Sequence, residues 1–173
     1  PDLHEETIAT QIAATSNQGL VARPDAEAFE ALRDASDAQL VSNGQRPRAF
    51  LANLGTIAQH TARATFAANL LASGGIDNVP GNGGTDLGEL SEAFKASNCP
   101  VAVICGSDKL YAEHAEAAAK SLKESGAKWI VVAGRPGDNE SVLRDAGVQD
   151  FVYLGCNALE SLANLWTQWE VQS

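Results

Sequence analysis

The stretch Arg48–Gly75, RAFLANLGTIAQHTARATFAANLLASGG, decides the fold. Its first part, Arg48–Leu54, alternates and then becomes continuously apolar, which is typical of a β-strand that ends at Gly55. Thr61–Ala72 is rich in Ala and Leu with apolar residues at helical spacing, so it predicts a helix that ends at Gly74-Gly75. A strand, a glycine turn and a helix form the first half of a βαβ unit.

The turn between this strand and this helix is predicted at residues 56–61. In open α/β sheets, ligands bind at the carboxyl ends of the strands, so this turn is where a binding site is expected. It contains His60, one of three histidines in the chain. Two interpretations of His60 stay open on the sequence alone. It is either a cofactor ligand or simply a polar residue in the turn before the first helix.

The rest of the chain continues the alternation of strands and helices. Further strands are predicted at residues 76–79, 100–105, 129–132 and 151–154, and further helices at 86–96, 110–125, 139–146 and 159–169. The run VAVIC at 101–105 is apolar throughout, as a parallel strand covered on both faces requires. The pattern predicts an α/β fold of the flavodoxin-like (Rossmann-type) class, with a five-stranded parallel sheet of order 2-1-3-4-5 and helices on both faces.

Residues 1–47 differ from this pattern. They predict two helices, at 5–16 and at Ala26–Ala35, in which Phe29 and Leu32 form the buried pair. Polar stretches with Gly and Pro separate and follow these helices. We therefore expect residues 1–47 to be a linker that lies against another body, and residues 48–173 to form the domain.

The composition excludes several classes of function. Twelve Lys and Arg against 22 Asp and Glu give a formal net charge of -10, which argues against nucleic acid as a partner. No apolar run is long enough for a transmembrane helix, so no membrane is expected. Three cysteines, Cys99, Cys105 and Cys156, have no metal-site spacing and favour a reduced, cytoplasmic protein. The chain contains no Met and begins with Pro1, so we expect it to be a piece of a longer protein.

Other candidate motifs are weak. The loop PGNGGT at 80–85 lacks the Lys of a phosphate-binding loop and the third Gly of a dinucleotide-binding loop. Ser107 lacks the pattern of a catalytic serine, but with Asp108 it could contact a ligand or cap the next helix. Trp166 and Trp169 share one face of the last helix and favour a core or interface role.

Three segments carry a resemblance to a known family: FEALRDASD (29–37), RPRAFLANLG (46–55) and QHTARATFAANLLASGGI (59–76). Together with AGR at 133–135 and AGV at 146–148, they resemble the small (beta) subunit of bacterial adenosylcobalamin-dependent methylmalonyl-CoA mutase. PDLHEE at 1–6 resembles the segment that leaves the TIM barrel of that family. The resemblance implies a C-terminal cobalamin-binding-like domain whose partner is the large catalytic subunit, in a heterodimer that interconverts methylmalonyl-CoA and succinyl-CoA.

The resemblance also implies a comparison with the cobalamin domain of the large subunit. There, Asp-x-His-x-x-Gly follows the first strand, the His ligates cobalt and the Asp orients it. Anchored on Gly55, the three positions here are Ile57, Gln59 and Ala62, and His60 comes one residue late. One residue along a helix rotates a side chain by about 100°, so His60 is expected to point away.

Two further patterns of the large subunit, Ser-x-Leu after the third strand and Gly-Gly after the fourth, admit the nucleotide tail of the corrinoid. They read here Cys105-Gly106-Ser107 and Ala133-Gly134. The residues of a vestigial or weak cofactor site are therefore predicted to be the following: Thr56, Gln59, His60, Ser107 and Gly134. The resemblance implies a domain that keeps the fold but does not bind cobalamin tightly.

Two alternatives stay open. The first is a functional corrinoid-binding module in which His60 is a displaced cobalt ligand. The second is a flavodoxin-like partner-binding domain without a cofactor history, for which no groove between the first strand and the first helix is expected.

Overall fold

The structure is a computed structural model that describes residues 24–170. Its centre is a five-stranded parallel sheet of order β2-β1-β3-β4-β5, which confirms the predicted class and strand order. The strands are, in chain order, β1 (Arg48–Asn53), β2 (Asp77–Pro80), β3 (Val101–Cys105), β4 (Trp129–Ala133) and β5 (Val148–Val152). Ala49 pairs with Val101, and Val101 pairs with Trp129, so the three central strands end at one edge.

Six helices accompany the strands within residues 24–170. They are α1 (Pro24–Asn43), α2 (Ile57–Ser73), α3 (Leu87–Ser97), α4 (108–124, with a π-helical turn at Tyr111–Ala115), α5 (Glu140–Ala146) and α6 (Ala158–Glu170). None of the helices in this part of the chain combines the length and apolarity needed to span a bilayer.

The sheet has a hydrophobic core on each face. One core joins the strands to α1, α2 and α6, through residues such as Leu32, Leu71 and Leu162. The other joins them to α3, α4 and α5, through residues such as Phe94, Leu122 and Leu143. Every residue of β3 is buried, because helices cover both faces of this central strand.

Helix α1 is longer than the sequence predicted. It ends at Asn43 rather than at Ala35, since no glycine or proline interrupts the chain before Gly44. Leu32 is fully buried as predicted, whereas Phe29 is only half-buried. Helix α1 therefore packs on the same sheet as the residues after 48. The division of the chain at residue 47 and the role of residues 1–47 as a linker stay predictions. The helix predicted at 5–16 lies outside the described residues.

Helix α2 begins earlier than predicted, and this changes the expected binding turn. The sequence predicted a turn at 56–61, but α2 begins at Ile57 and Thr56 is its N-cap. Thr56 and Gln59 have the spacing of a capping box, in which the third helical residue accepts a hydrogen bond from the N-cap backbone. Gln59 and His60 therefore belong to the first turn of the helix and not to a loop.

Candidate functional site

The candidate site lies where β1, β3 and β4 end. In this strand order the chain leaves β1 toward one face of the sheet and β3 toward the other, which creates a crevice at their carboxyl ends. The residues that follow these strands are Gly55-Thr56, Gly106-Ser107 and Gly134. Four of the five predicted site residues, Thr56, Gln59, Ser107 and Gly134, lie at this edge.

Gln59 covers the end of β1. Its Oε1 accepts a hydrogen bond of 2.8 Å from the backbone N–H of Thr56, which completes one half of the capping box. Gly55 beneath it has φ +76, and a Cβ there would overlap Gln59 Oε1 and lie 2.7 Å from Leu110 Cδ1. The carboxamide of Gln59 thus fills the space over Gly55 and caps α2, rather than pointing into an open crevice.

His60 is buried under the loop that follows β2. Only 7 % of its surface is exposed, and a Cβ on Gly83 would lie 2.8 Å from its Cε1. Two backbone hydrogen bonds between Gly55 and Gly84, of 3.0 and 2.7 Å, hold this loop over the end of β1. The Nδ1 atom of His60 is buried without a hydrogen-bond partner. The imidazole of His60 therefore faces the loop after β2.

Asn53 is a polar residue near the site that the sequence reasoning missed. It ends β1 and is 5 % exposed. Its Nδ2 donates to the backbone oxygen of Gly81 at 3.1 Å, and its Oδ1 is buried without a partner. The sequence pattern that could have identified it is an Asn at the end of a strand, directly after the apolar residues 49–52. It anchors the same loop that covers His60.

Arg63 is a second missed residue, and it crosses the site. From the second turn of α2, its Nη1 donates to the backbone oxygen of Ala133 at 3.1 Å, and its Nη2 pairs with Asp108 Oδ1 at 3.0 Å. A Cβ on Gly134 would lie 2.8 Å from Arg63 Nη1. A side chain at position 134 would therefore require this guanidinium to shift.

Tyr111 fills the space between the ends of β3 and β4. Its hydroxyl donates to the backbone oxygen of Ala133 at 2.7 Å and accepts from the N–H of Gly106 at 2.8 Å. The Arg63 guanidinium carbon lies 5.4 Å from the centre of the tyrosine ring, within the range of a cation–π contact. Burial, with the nearby Cys105, raises the pKa of Tyr111 to about 12. The hydroxyl is thus a neutral, structural hydrogen-bonding group.

Ser107 and Asp108 have separate roles. Ser107 Oγ accepts a hydrogen bond of 3.2 Å from the N–H of Leu110, so it caps α4, one of its two predicted roles. The side chain of Asp108 is 88 % exposed and contacts Arg63. Across residues 24–170, no group of three His, Cys, Asp or Glu side chains is arranged to hold a metal ion.

The comparisons with known sequences identify relatives over most of the chain. No protein-family model matches it. The methylmalonyl-CoA mutase small subunit of Streptomyces virginiae is 46% identical over 138 residues, which are 80% of this chain and 21% of that protein. The probable methylmalonyl-CoA mutase small subunit of Mycobacterium tuberculosis (strain ATCC 25618 / H37Rv) is 40% identical over 147 residues, 83% of this chain and 23% of that protein. That of Propionibacterium freudenreichii subsp. shermanii is 33% identical over 154 residues, 88% of this chain and 23% of that protein.

Two solved structures are similar in fold. A cobalamin-binding protein from Desulfitobacterium hafniense DCB-2 has a TM-score of 0.54 and 20% identity, with 95% of this chain and 82% of that chain covered. A CheY-like protein from Pseudomonas aeruginosa PAO1 has a TM-score of 0.51 and 24% identity, with 70% of this chain and 92% of that chain covered. At these identities the likeness concerns the fold alone.

The sequence similarity confirms the resemblance to mutase small subunits. The chain spans only about a fifth of the length of these curated relatives, from 21% to 23% in the three described above. The site described above belongs to the part of the small subunit that this chain matches.

Proposed function

We propose that this chain, which is similar in sequence to methylmalonyl-CoA mutase small subunits, is the cobalamin-binding-like domain of such a subunit. It supports the heterodimer with the large catalytic subunit and does not carry a tightly bound cobalamin of its own. The observation that carries the proposal is the position of Gln59. The side chain that stands in place of the cobalt ligand is used to cap α2.

The proposed biological setting follows from the relatives. The complete subunit takes part in an isomerase that interconverts methylmalonyl-CoA and succinyl-CoA, with adenosylcobalamin held by the large subunit. The three cysteines, Cys99, Cys105 and Cys156, are free thiols. Free thiols are typical of a reducing compartment, so we place the protein in the cytoplasm.

The residues at the ligand positions do not fit cobalamin. An amide oxygen is a poor replacement for the imidazole nitrogen that a cobalt ion in this role requires. Ile57 takes the place of the acid that would orient an imidazole, and it is 76% exposed with no polar group to offer. The ligand and its supporting residue are therefore both missing.

The alternative function is a working corrinoid-binding module with His60 as a displaced cobalt ligand. The unpartnered Nδ1 of His60 favours it, because a ligand nitrogen needs no partner inside the protein. However, His60 lies beneath the loop at Gly83 and Gly84. Binding through His60 requires this loop to leave the end of β1 and the first turn of α2 to unwind. The domain without a cofactor history is less well supported, since the relatives are mutase subunits.

An absorbance titration with hydroxocobalamin separates the two functions. The parent chain, His60→Ala and the control His114→Ala, which alters a half-buried histidine on α4, are each titrated. We expect no spectral shift of the corrinoid with any of the three. A shift with the parent and with His114→Ala that is lost in His60→Ala refutes the proposal and establishes the alternative.

The supporting role in the heterodimer has a separate test. Mutase activity and heterodimer yield are measured for the complete small subunit with its partner, before and after Gln59→Ala and after removal of residues 24–170. We expect Gln59→Ala to leave the activity unchanged and the truncation to lower the yield of heterodimer. An unchanged yield after truncation contradicts the supporting role.

A further inference from the structure

The crevice at the strand ends is bridged by side chains of the chain itself. Arg63 starts on α2, beside β1, and reaches the last carbonyl of β4, so its side chain passes over the end of β3. On the way it pairs with Asp108, which belongs to the chain leaving β3. One side chain thus connects all three segments that border the crevice.

Tyr111 lies under this bridge and fills the space below it. It is 7% exposed and opens the π-helical turn of α4. Its ring carbons would lie 3.3 Å from a Cβ on Gly106 and 3.0 Å from a Cβ on Gly134. The glycines that follow β3 and β4 therefore do not leave an open slot, because the tyrosine ring already occupies the room they provide.

We propose that Arg63 and Tyr111 close the crevice and exclude a corrinoid independently of the missing cobalt ligand. This inference rests on the proposed function, in which the domain does not bind cobalamin. It adds a second barrier to the first. The first is that Gln59 stands in place of the cobalt ligand, and the second is that side chains from α2 and α4 fill the space beside it. Restoring the ligand residues alone then does not restore binding.

The two residues contribute unequally to the barrier. The Arg63 side chain is 33% exposed, and an ion pair of this exposure opens at little cost. Tyr111 is buried, and displacing it leaves the N–H of Gly106 without its hydroxyl partner and the oxygen of Ala133 with only the hydrogen bond from Arg63. Tyr111 is therefore the main obstacle, and Arg63 covers it.

The test uses four forms of the 173-residue chain. They are the parent, a ligand-restored chain (Ile57→Asp, Gln59→His, Ala62→Gly), an opened chain (Arg63→Ala, Tyr111→Ala) and a chain with both sets of changes. Each is first checked for folding by circular dichroism and thermal melting. Equilibrium dialysis then measures the dissociation constants of hydroxocobalamin and of cobinamide, a corrinoid that lacks the nucleotide tail.

We expect the chain with both sets of changes to bind hydroxocobalamin at least about tenfold more tightly than the ligand-restored chain. The preference for cobinamide over hydroxocobalamin is expected to be larger in the ligand-restored chain than in the chain with both sets. Equal affinities of these two folded chains for hydroxocobalamin, whether tight or undetectable, overturn the inference.

Two further measurements keep the result interpretable. Should Tyr111→Ala unfold the chain, Tyr111→Leu with Arg63→Ala replaces it in both variants and the same comparison decides, since leucine removes the hydroxyl and part of the ring volume. Tight binding by the parent chain is a different outcome, because it refutes the proposed function itself. A ligand-restored chain that binds hydroxocobalamin as tightly as the chain with both sets, while the parent does not bind it, refutes only the closed crevice.

Discussion

Truncating Leu32 in α1 tests whether this helix is part of the folded domain or a dispensable linker. Leu32 is fully buried and belongs to the core that contains β1, α2 and α6. Replacing a buried Leu with Ala costs about 2–5 kcal/mol through lost burial and the cavity that remains. Because Leu32 is fully buried in this core, we expect Leu32→Ala to lower the free energy of unfolding by about 3 kcal/mol.

The control for this prediction lies on the same helix. Leu40 is 39% exposed, so Leu40→Ala makes the same chemical change with a smaller loss of packing. We expect its effect to be about 1 kcal/mol, because only part of this side chain is covered. The difference between the two variants removes the effect of alanine on helix propensity, which both share.

Urea unfolding monitored by tryptophan fluorescence and far-ultraviolet circular dichroism measures both variants. A loss of about 3 kcal/mol corresponds to a melting temperature lower by roughly 6–12 °C for a chain of this length. Equal midpoints for Leu32→Ala, Leu40→Ala and the parent refute the packing of α1 on the sheet. They would instead favour the prediction that residues 1–47 are a linker, because substitutions in a linker leave the stability of the domain unchanged.

Three more predictions concern the closed edge of the sheet. Tyr111→Phe leaves the N–H of Gly106 unsatisfied and removes one of the two donors to the oxygen of Ala133, so we expect urea unfolding to show a loss of about 1–3 kcal/mol. An unchanged midpoint contradicts these hydrogen bonds. Burial raises the pKa of Cys105 from 9.0 and that of Tyr111 from 10.0, each to about 12, so above pH 9 the unfolded chain loses protons that the folded chain keeps. The contribution of these two groups to the free energy of unfolding is therefore fully present below pH 9. It falls between pH 9 and about 12, by up to about 1.4 kcal/mol per pH unit for each group. A urea midpoint that does not change from pH 8 to 11 argues against this burial. Gln59→Ala removes the helix cap and is expected to cost about 0.5–2 kcal/mol, whereas the control Gln59→Glu keeps an acceptor and stays close to the parent in thermal melting. Equal melting of the two variants contradicts the cap.

Most of the predicted strands matched the structure because their signals are local, but the fifth strand was predicted at 151–154 and lies at Val148–Val152. The apolar run at 101–105 and the glycines after the strands were enough to place β3 and its neighbours. The start of α2 was placed four residues late, at Thr61 instead of Ile57. The capping pattern Thr56-x-x-Gln59, which marks this start, is present in the sequence.

The candidate site was predicted only in part, since its closure depends on residues far apart in the chain. Ser107 was recognised from its place after β3 and Gln59 from the family resemblance, and both cap helices. Arg63 was missed because its partner Ala133 is 70 residues away. Tyr111 was missed because it reads as an ordinary helical residue, and a π-helical turn has no simple sequence pattern.

The sequence by itself determined the alternation of strands and helices and the covered sheet, because both depend on residue type and on short-range periodicity. The strand order was predicted as the common order of the flavodoxin-like class, and the structure confirms it. Only the tertiary structure decided that His60 is buried under the loop after β2 and that Arg63 and Tyr111 fill the crevice. The physical reason is that these contacts join α2, β4 and α4, and the direction and reach of a side chain across a sheet edge follow from packing. The spacing of residues along the chain does not predict which side chains meet across this edge.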